Sequence, residues 1–451
     1  MNIIIIGCGE VGKTLAEQLN TADNDITVID TRPEAVEELT ARVDVMGVTG
    51  NGATLSVQRE AGVQHADLLI AVTESDELNL LCCAVARKSV RCRTIARVRN
   101  PEYSAEAAYL KAELGIEMLI NPEQAAATEI ARVLRFPSAI KIDTFARGRV
   151  ELLKFRLPEE SLIAGMSVKD VAMKLKCDLL FCTAERGDEV YIAKGDFIFK
   201  GNDVISLIAS PKNASEFFKR IGYKMRSVKD VMIAGGGNMT HYLCTLLRKD
   251  GASVTVIEPD EKACEELAVA WPEIKVLNGD PTDKSLLLEA GIERTGAVVA
   301  LTDSDEENIL LSLFTKSAGR GKAITKINRI EFDEVISRLA LDSTVYPKHI
   351  TAEQIARYVR ATQNSRGSNM ETLYHVIRDE VEAAEFVVRE ASPLTDTPLS
   401  QLKIKSDVLI GAIIHNGQVL IPRGNHVIST GDTVIVVSKR LTLHDLTDIL
   451  K

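Results

Sequence analysis

Residues 3–12 read IIIIGCGEVG and residues 231–240 read VMIAGGGNMT. In each, an aliphatic run breaks into glycines and then into an amphipathic pattern, which reads as a strand, a tight turn and the start of a helix. In Gly7-x-Gly9-x-x-Gly12 the first glycine permits the tight turn off the strand. The second lets a pyrophosphate approach the backbone, and the third lets the helix pack closely on the strand. The helix N-terminus then offers free N–H groups and a partial positive charge to phosphates. Asp30 lies 23 residues after Gly7, and Glu258 lies 23 after Gly235. A carboxylate at the end of the second strand can accept both ribose hydroxyls and repels a 2′-phosphate, which favours NAD(H) over the phosphorylated form. Arg32 reads as a solvated or ribose-rim residue rather than a 2′-phosphate ligand.

The resemblance between the two halves extends far beyond the glycines. ITVIDTRPEAVEEL (26–39) falls on VTVIEPDEKACEEL (254–267), and LLIAVTESDELNLL (68–81) falls on VVALTDSDEENILL (298–311). INPEQAAATEIARVL (120–134) falls on YPKHITAEQIARYV (346–359). Short apolar runs alternate with helical patterns, the signature of βαβ units and a parallel sheet. A second kind of segment follows each half, with a short helix and then alternating strands separated by Gly/Asp/Asn turns such as RGD, HNGQ and STGD. The fold class is therefore α/β, a duplicated Rossmann-type doubly wound parallel sheet, each copy followed by a small α+β domain. The expected order is A–B–A′–B′, over residues 1–135, 136–226, 227–361 and 362–451, with TQNSRGSN (362–369) as the linker into B′.

One departure stands out. Thr240 occupies the place of the third glycine, and its β-branched side chain is expected to push the helix off the strand. The second site then binds more weakly, takes a different ligand, or survives only as a structural turn. Other polar residues recur at matched places. Thr73-Glu74-Ser75-Asp76 and Thr302-Asp303-Ser304-Asp305 fall at the carboxyl edge of the sheet, where both helix capping and ligand contact are open readings. Asn79 and Asn308 sit inside the next helix, where asparagine is a poor former; a polar contact and a solvated face are equally open. Arg97 matches Lys326, and a cation after that strand meets a phosphate or makes a surface ion pair.

Composition narrows the function. Aromatics make up 4% of the chain, so the cores are expected to be aliphatic. A net charge of −10 argues against a nucleic-acid binder. No signal peptide or apolar run of membrane-spanning length appears, so a soluble, cytoplasmic chain is expected. The eight cysteines have no CxxC or zinc-finger spacing and read as reduced, mostly buried thiols. None of the seven histidines recurs at matched positions of A and A′, and no GxSxG, HExxH or Walker lysine pattern is present. No catalytic residue, no metal site and no reaction is expected. An NAD-dependent oxidoreductase of unknown substrate is the alternative.

GCGEVGKTLAEQL, VIDTRPE, VTESDELN and IARVRNPEY together resemble the nucleotide-binding subunits of bacterial Trk potassium uptake systems, and more broadly the KTN or RCK domains that regulate potassium channels and transporters. The resemblance covers essentially the whole chain, including the A–B–A′–B′ order. It implies RCK N-lobes that hold NAD(H), with ATP or ADP as further ligands, and small RCK C-lobes. It also implies a homo-oligomer, a tetrameric ring, beneath a TrkH/TrkG-like integral membrane potassium-translocating subunit. The chain would then be peripheral on the inner face of the cell membrane. Carried over residue by residue, the first set of contacts falls on Gly7, Cys8, Gly9, Glu10, Val11, Gly12, Asp30, Thr31, Thr73, Glu74 and Arg97. The second set falls on Gly235, Gly236, Gly237, Asn238, Met239, Glu258, Thr302, Asp303 and Lys326.

Overall fold

The computed structural model describes the chain apart from residues 21–23, 91, 137–138, 188, 223–227, 320, 330–332, 340, 365–369, 378–379, 440–442 and 444. Most of the expected linker into B′ therefore lies outside the described residues, as do the residues at the 226/227 boundary.

The first sheet holds six parallel strands: β1 (Asn2–Ile6), β2 (Asp25–Asp30), β3 (Met46–Thr49), β4 (Leu68–Ala71), β5 (Arg93–Arg97) and β6 (Met118–Ile120). Its order is β3-β2-β1-β4-β5-β6. The order reverses between β1 and β4, so a crevice opens at the carboxyl ends of those two strands. Both central strands are covered on two faces, and Ile3–Ile6 and Leu68–Ala71 are each at most 2% exposed. This is why they read as unbroken aliphatic runs. The helices are α1 (Glu10–Leu19), α2 (Pro33–Arg42), α3 (Leu55–Glu60), α4 (Asp76–Ser89), α5 (Pro101–Ala105), α6 (Ala107–Leu114) and α7 (Pro122–Arg135).

A five-stranded antiparallel sheet follows, built from β7 (Ala139–Phe145), β8 (Val150–Arg156), β9 (Leu179–Arg186), β10 (Glu189–Ile192) and β11 (Val204–Ala209), with α8 (Val168–Leu175) and α9 (Pro211–Arg220). The pattern then repeats. The third sheet is β12 (Asp230–Ala234), β13 (Ser253–Glu258), β14 (Lys275–Asn278), β15 (Ala297–Ala300), β16 (Lys322–Lys326) and β17 (Ser343–Val345), in the same strand order as the first. Its helices are α10 (Asn238–Lys249), α11 (Glu261–Ala270), α12 (Lys284–Glu289), α13 (Asp305–Ala318), α14 (Asp333–Arg338) and α15 (Pro347–Asn364). The fourth sheet is antiparallel: β18 (Met370–Ile377), β19 (Val381–Val387), β20 (Val408–His415), β21 (Gln418–Leu420) and β22 (Thr433–Lys439).

In space, like groups with like. Met1–Ala131 and Val228–Ala356 form one compact unit, and Arg132–Ser227 and Arg357–Lys451 form another. In the second unit the two antiparallel sheets share a core that includes Phe145, Leu152, Ile208, Ala383, Ile435 and Val437. Packing there is close: a Cβ on Gly411 would lie 2.5 Å from Ile208 Cδ1.

Two expectations change at this level. The aliphatic core holds for the parallel sheets, but the few aromatics gather in the first antiparallel domain. There Phe155 meets Phe218 edge-to-face at 5.0 Å, and Phe181 meets Phe199 at 4.9 Å. The short helix expected in B′ is instead a three-residue 3-10 turn, Leu399–Gln401. In B the helix α8 is capped by Ser167, whose Oγ accepts from Asp170 N. Pro398 stands at the matching place and has no such acceptor.

The duplicated antiparallel domains also keep a buried carboxylate but change its partner. Asp203, 1% exposed, takes two bonds of 2.8 Å from Arg186 and one of 2.8 Å from Lys200 N. Asp432, 2% exposed, accepts from Ser429 N at 2.8 Å and pairs with His415 Nδ1 at 2.7 Å. Asp203→Ala strands the guanidinium and an N–H of the turn. We expect a loss of about 2–3 kcal/mol in chemical denaturation; a loss below about 0.5 kcal/mol contradicts the assignment.

Candidate functional site

The two glycine loops have the same backbone. Gly7 and Gly235 both have φ of +107°, a conformation side chains rarely adopt. Gly7 N donates to Ile29 O at 2.8 Å, and Gly235 N donates to Ile257 O at 2.9 Å. A Cβ on either would also run into the chain after the fourth strand, at 3.0 Å from Thr73 N or 2.9 Å from Leu301 C. The middle glycines differ from these: a Cβ on Gly9 or on Gly237 meets nothing within 4 Å. That open face lies where α1 and α10 begin, so both loops leave room for a ligand against free helix N–H groups.

The third position separates the halves. A Cβ on Gly12 would stand 1.8 Å from Gly7 O, so α1 sits directly on its loop. Thr240 is fully buried, and its Oγ1 donates to Gly235 O at 2.6 Å. α10 therefore stands farther off its loop than α1 does, and the hydroxyl spans the gap. The β-branched residue displaces the helix and fastens it in the displaced place.

Both carboxylates are pre-positioned by the loops they face. Asp30 Oδ2 accepts from Cys8 N at 2.8 Å, and its Oδ1 accepts from Arg32 N at 3.0 Å and Arg32 Nε at 3.3 Å. Burial pushes the Asp30 carboxyl up, but the Arg32 and Cys8 N–H groups and the Arg32 guanidinium outweigh it and leave it below the usual range. Glu258 repeats the pattern, with Oε2 accepting from Gly236 N at 2.6 Å and Oε1 from Asp260 N at 3.0 Å. Arg32 is exposed and engaged with Asp30.

In the matched stretches after the fourth strand the serines cap helices. Ser75 Oγ caps α4 through Leu78 N, and Ser304 Oγ caps α13 through Glu307 N. Asp76 Oδ2 accepts from Arg99 N and Asn100 N, both at 2.8 Å, and Asp305 accepts from Asn328 N and Arg329 N at 2.8 and 2.9 Å. These two acids hold backbone. Asn79 and Asn308 are fully buried, not solvated. Asn79 Oδ1 accepts from Thr73 N and Oγ1 at 2.8 and 2.7 Å, while Nδ2 donates to Thr73 O and Arg97 O at 3.1 and 3.0 Å. Asn308 makes the same four bonds with Thr302 and Lys326.

The cations differ. Lys326 Nζ lies 3.3 Å from the exposed Asp303. Arg97 donates through Nη2 to Thr73 O, but its buried Nε has no partner. Burial, with Arg99 close by, pushes its guanidinium down to about 10. A half-buried guanidinium with an unused donor, held at the carboxyl edge against Thr73, fits an anionic group such as a nucleotide phosphate.

Of the expected contact residues, Gly9, Glu10, Thr31, Glu74, Gly237, Asn238 and Asp303 are exposed along these carboxyl edges. Cys8, Val11 and Met239 are buried and present only backbone; burial, with Asp30 adding to it, pushes the Cys8 thiol up to about 12. Arg99 was missed from sequence, although it lies in the quoted IARVRNPEY. It donates to Glu74 O and supports that edge. Among the described residues no group of His, Cys, Asp and Glu could hold a metal, and no helix is long and apolar enough to cross a membrane.

Family models of the TrkA-N domain match residues 3–122 and 231–347, and those of the TrkA-C domain match residues 152–222 and 383–451. The chain belongs to the TrkA family. One relative, Trk system potassium uptake protein TrkA homolog 1 of Methanosarcina mazei, is 32% identical over 446 residues, 97% of each chain. Among solved structures, the GsuK channel bound to NAD is similar at a TM-score of 0.63 and 16% identity, over 97% of this chain and 76% of that one. GsuK bound to ADP is similar at 0.51 and 15%, over 80% of this chain and 69% of that one. At such identities the likeness is one of fold. Every expected contact residue falls inside a TrkA-N match.

Arg97→Met tests the fit. Removing a half-buried charge with an idle donor should leave stability unchanged or raise it by about 1 kcal/mol. It should weaken ADP binding at the first crevice roughly tenfold or more, the value of one hydrogen bond to a charged group. Denaturation and calorimetry read the two effects; unchanged affinity contradicts the assignment.

Proposed function

We propose that this chain is the cytoplasmic, nucleotide-sensing regulatory subunit of a Trk-type potassium uptake system, and that it binds without catalysing a reaction. The observation that carries this reading is the repetition, in both TrkA-N domains, of an open glycine face beside a loop-held carboxylate. In the first crevice the amides of Gly9 to Val11 would hold the phosphates with Arg97, and Asp30 would take the adenosine ribose. A carboxylate has about four acceptor positions. Three of those on Asp30 are used within the protein, so its approach is narrow, while Glu258 spends two and leaves more room. The ligand is an adenine nucleotide, NAD(H) first and ATP or ADP second. NAD and ADP in the GsuK structures support that choice. Asp76, Asn79, Asp305 and Asn308, at the carboxyl edges, hold backbone. His241, at the start of α10, accepts from Trp271 Nε1 at 3.4 Å, and burial pushes its imidazole down. These observations favour a binding module over an oxidoreductase.

A duplicated chain offers pseudo-symmetric surfaces, so a few copies can close into a ring, here a tetramer. The ring would sit on the inner face of the membrane through a TrkH/TrkG-like pore subunit. A nucleotide shifts such a ring only as far as it prefers one shape over the other. Potassium uptake at limiting external potassium tests the reading. Cells lacking the chain should take up potassium slowly and recover with the native chain. They should not recover with a folded Asp30→Arg, Glu258→Arg chain. Uptake indifferent to the chain would overturn the proposal.

A further inference from the structure

Helix α10 begins at the second glycine loop, and one turn along it Tyr242 reaches out of its own domain. Its hydroxyl lies 2.7 Å from Asn121 Nδ2, which donates to it, 3.0 Å from Ser104 Oγ and 3.1 Å from the Arg99 carbonyl. All three belong to the first TrkA-N domain. Arg99 is thereby held from two sides. Its carbonyl is tied to the second domain's helix. Its N–H donates to Asp76 Oδ2 at 2.8 Å, and its guanidinium donates to Glu74 O. Residues 73–76 are the polar edge of the first crevice, so one residue joins that edge to the helix that opens the second.

The link is not a by-product of the duplication. Thr14 matches Tyr242 in the first half, and its Oγ1 turns back to Glu10 O of its own helix at 2.8 Å. Asn328 matches Arg99, with no guanidinium to reach a carbonyl. Among the described residues Thr14 makes no such contact, and Tyr242 stands on the helix that Thr240 has already displaced from its loop.

We propose that the two nucleotide crevices of one chain are energetically coupled through Tyr242 and Arg99, so that a ligand in one changes affinity in the other. This rests on the nucleotide reading of both crevices. A ligand that moves α10 pulls on the Arg99 carbonyl, and Arg99 carries Glu74 and Asp76 with it. By reciprocity a ligand in the first crevice moves α10. The chain carries its own reporter. Trp271 is the single tryptophan, and its Nε1 lies 3.4 Å from Nδ1 of His241, the neighbour of Tyr242 on α10.

The experiment uses the full chain with the second crevice disabled by Glu258→Arg, or by Glu258→Gln should the arginine impair folding. ADP is titrated by calorimetry and by Trp271 emission. Binding at the first crevice is expected to change the emission. Adding Tyr242→Phe, which keeps the ring and the Asn121–Ser104 bond, should leave the binding heat and abolish the emission change. In the chain with both crevices intact, occupancy of one should shift the other about 5- to 150-fold, and Tyr242→Phe should bring that factor towards one. Binding heat without an emission change, or a change indifferent to Tyr242→Phe, overturns the coupling alone. No binding heat in the native chain overturns the nucleotide reading and the coupling with it.

Discussion

In each half of the chain a buried asparagine amide ties the end of the fourth strand to the end of the fifth. Asn79 and Asn308 are fully enclosed and spend four hydrogen bonds apiece. In a low-dielectric interior a network with every member satisfied is rigid, and a half-satisfied one is costly. The amide therefore fixes where Thr73 and Thr302 stand. That in turn sets the backbone against which the Gly7 and Gly235 turns close. The glycine loop and the backbone of Arg97 or Lys326 take their places from this junction.

Duplication with divergence explains the rest. The two parallel sheets share strand order, loop conformation, the Ser75 and Ser304 caps, and carboxylate spacing. At the crevices they diverge at Gly12 against Thr240, Asp30 against Glu258, Arg97 against Lys326, and Thr14 against Tyr242. The antiparallel domains follow the same rule, keeping a buried Asp203 or Asp432 while its partner changes from Arg186 to His415. The common parts make the fold, and the differing parts make the two crevices unequal.

Much of this is legible in the residues. A period of nearly half the chain, aliphatic runs ending in glycine, and acids at equal spacing specify two doubly wound sheets. Those signals arise from local geometry: a positive φ at Gly7, a helix seated on Gly12, a strand buried on both faces. Asn79 and Asn308 were visible as misfits inside helices, but only packing decides between a buried amide and a solvated one. Thr240 was legible as a displacement, yet its hydroxyl bond to Gly235 was not. Tyr242 gave no local signal, because its partners lie more than a hundred residues away. The pairing of like domains in space was equally hidden, since periodicity describes elements and not their neighbours. In B′ the expected helix shrinks to a turn because a proline replaces the capping serine, a change of a single residue in a short segment.

The stoichiometry of nucleotide binding bears most directly on two unequal sites in one chain. Equilibrium binding of NADH to the purified full-length protein should give two molecules per chain. It should fall to one in a folded Asp30→Arg chain and to one in a folded Glu258→Arg chain. Absence of binding, or a stoichiometry indifferent to both substitutions, would contradict the assignment of these crevices as the nucleotide sites.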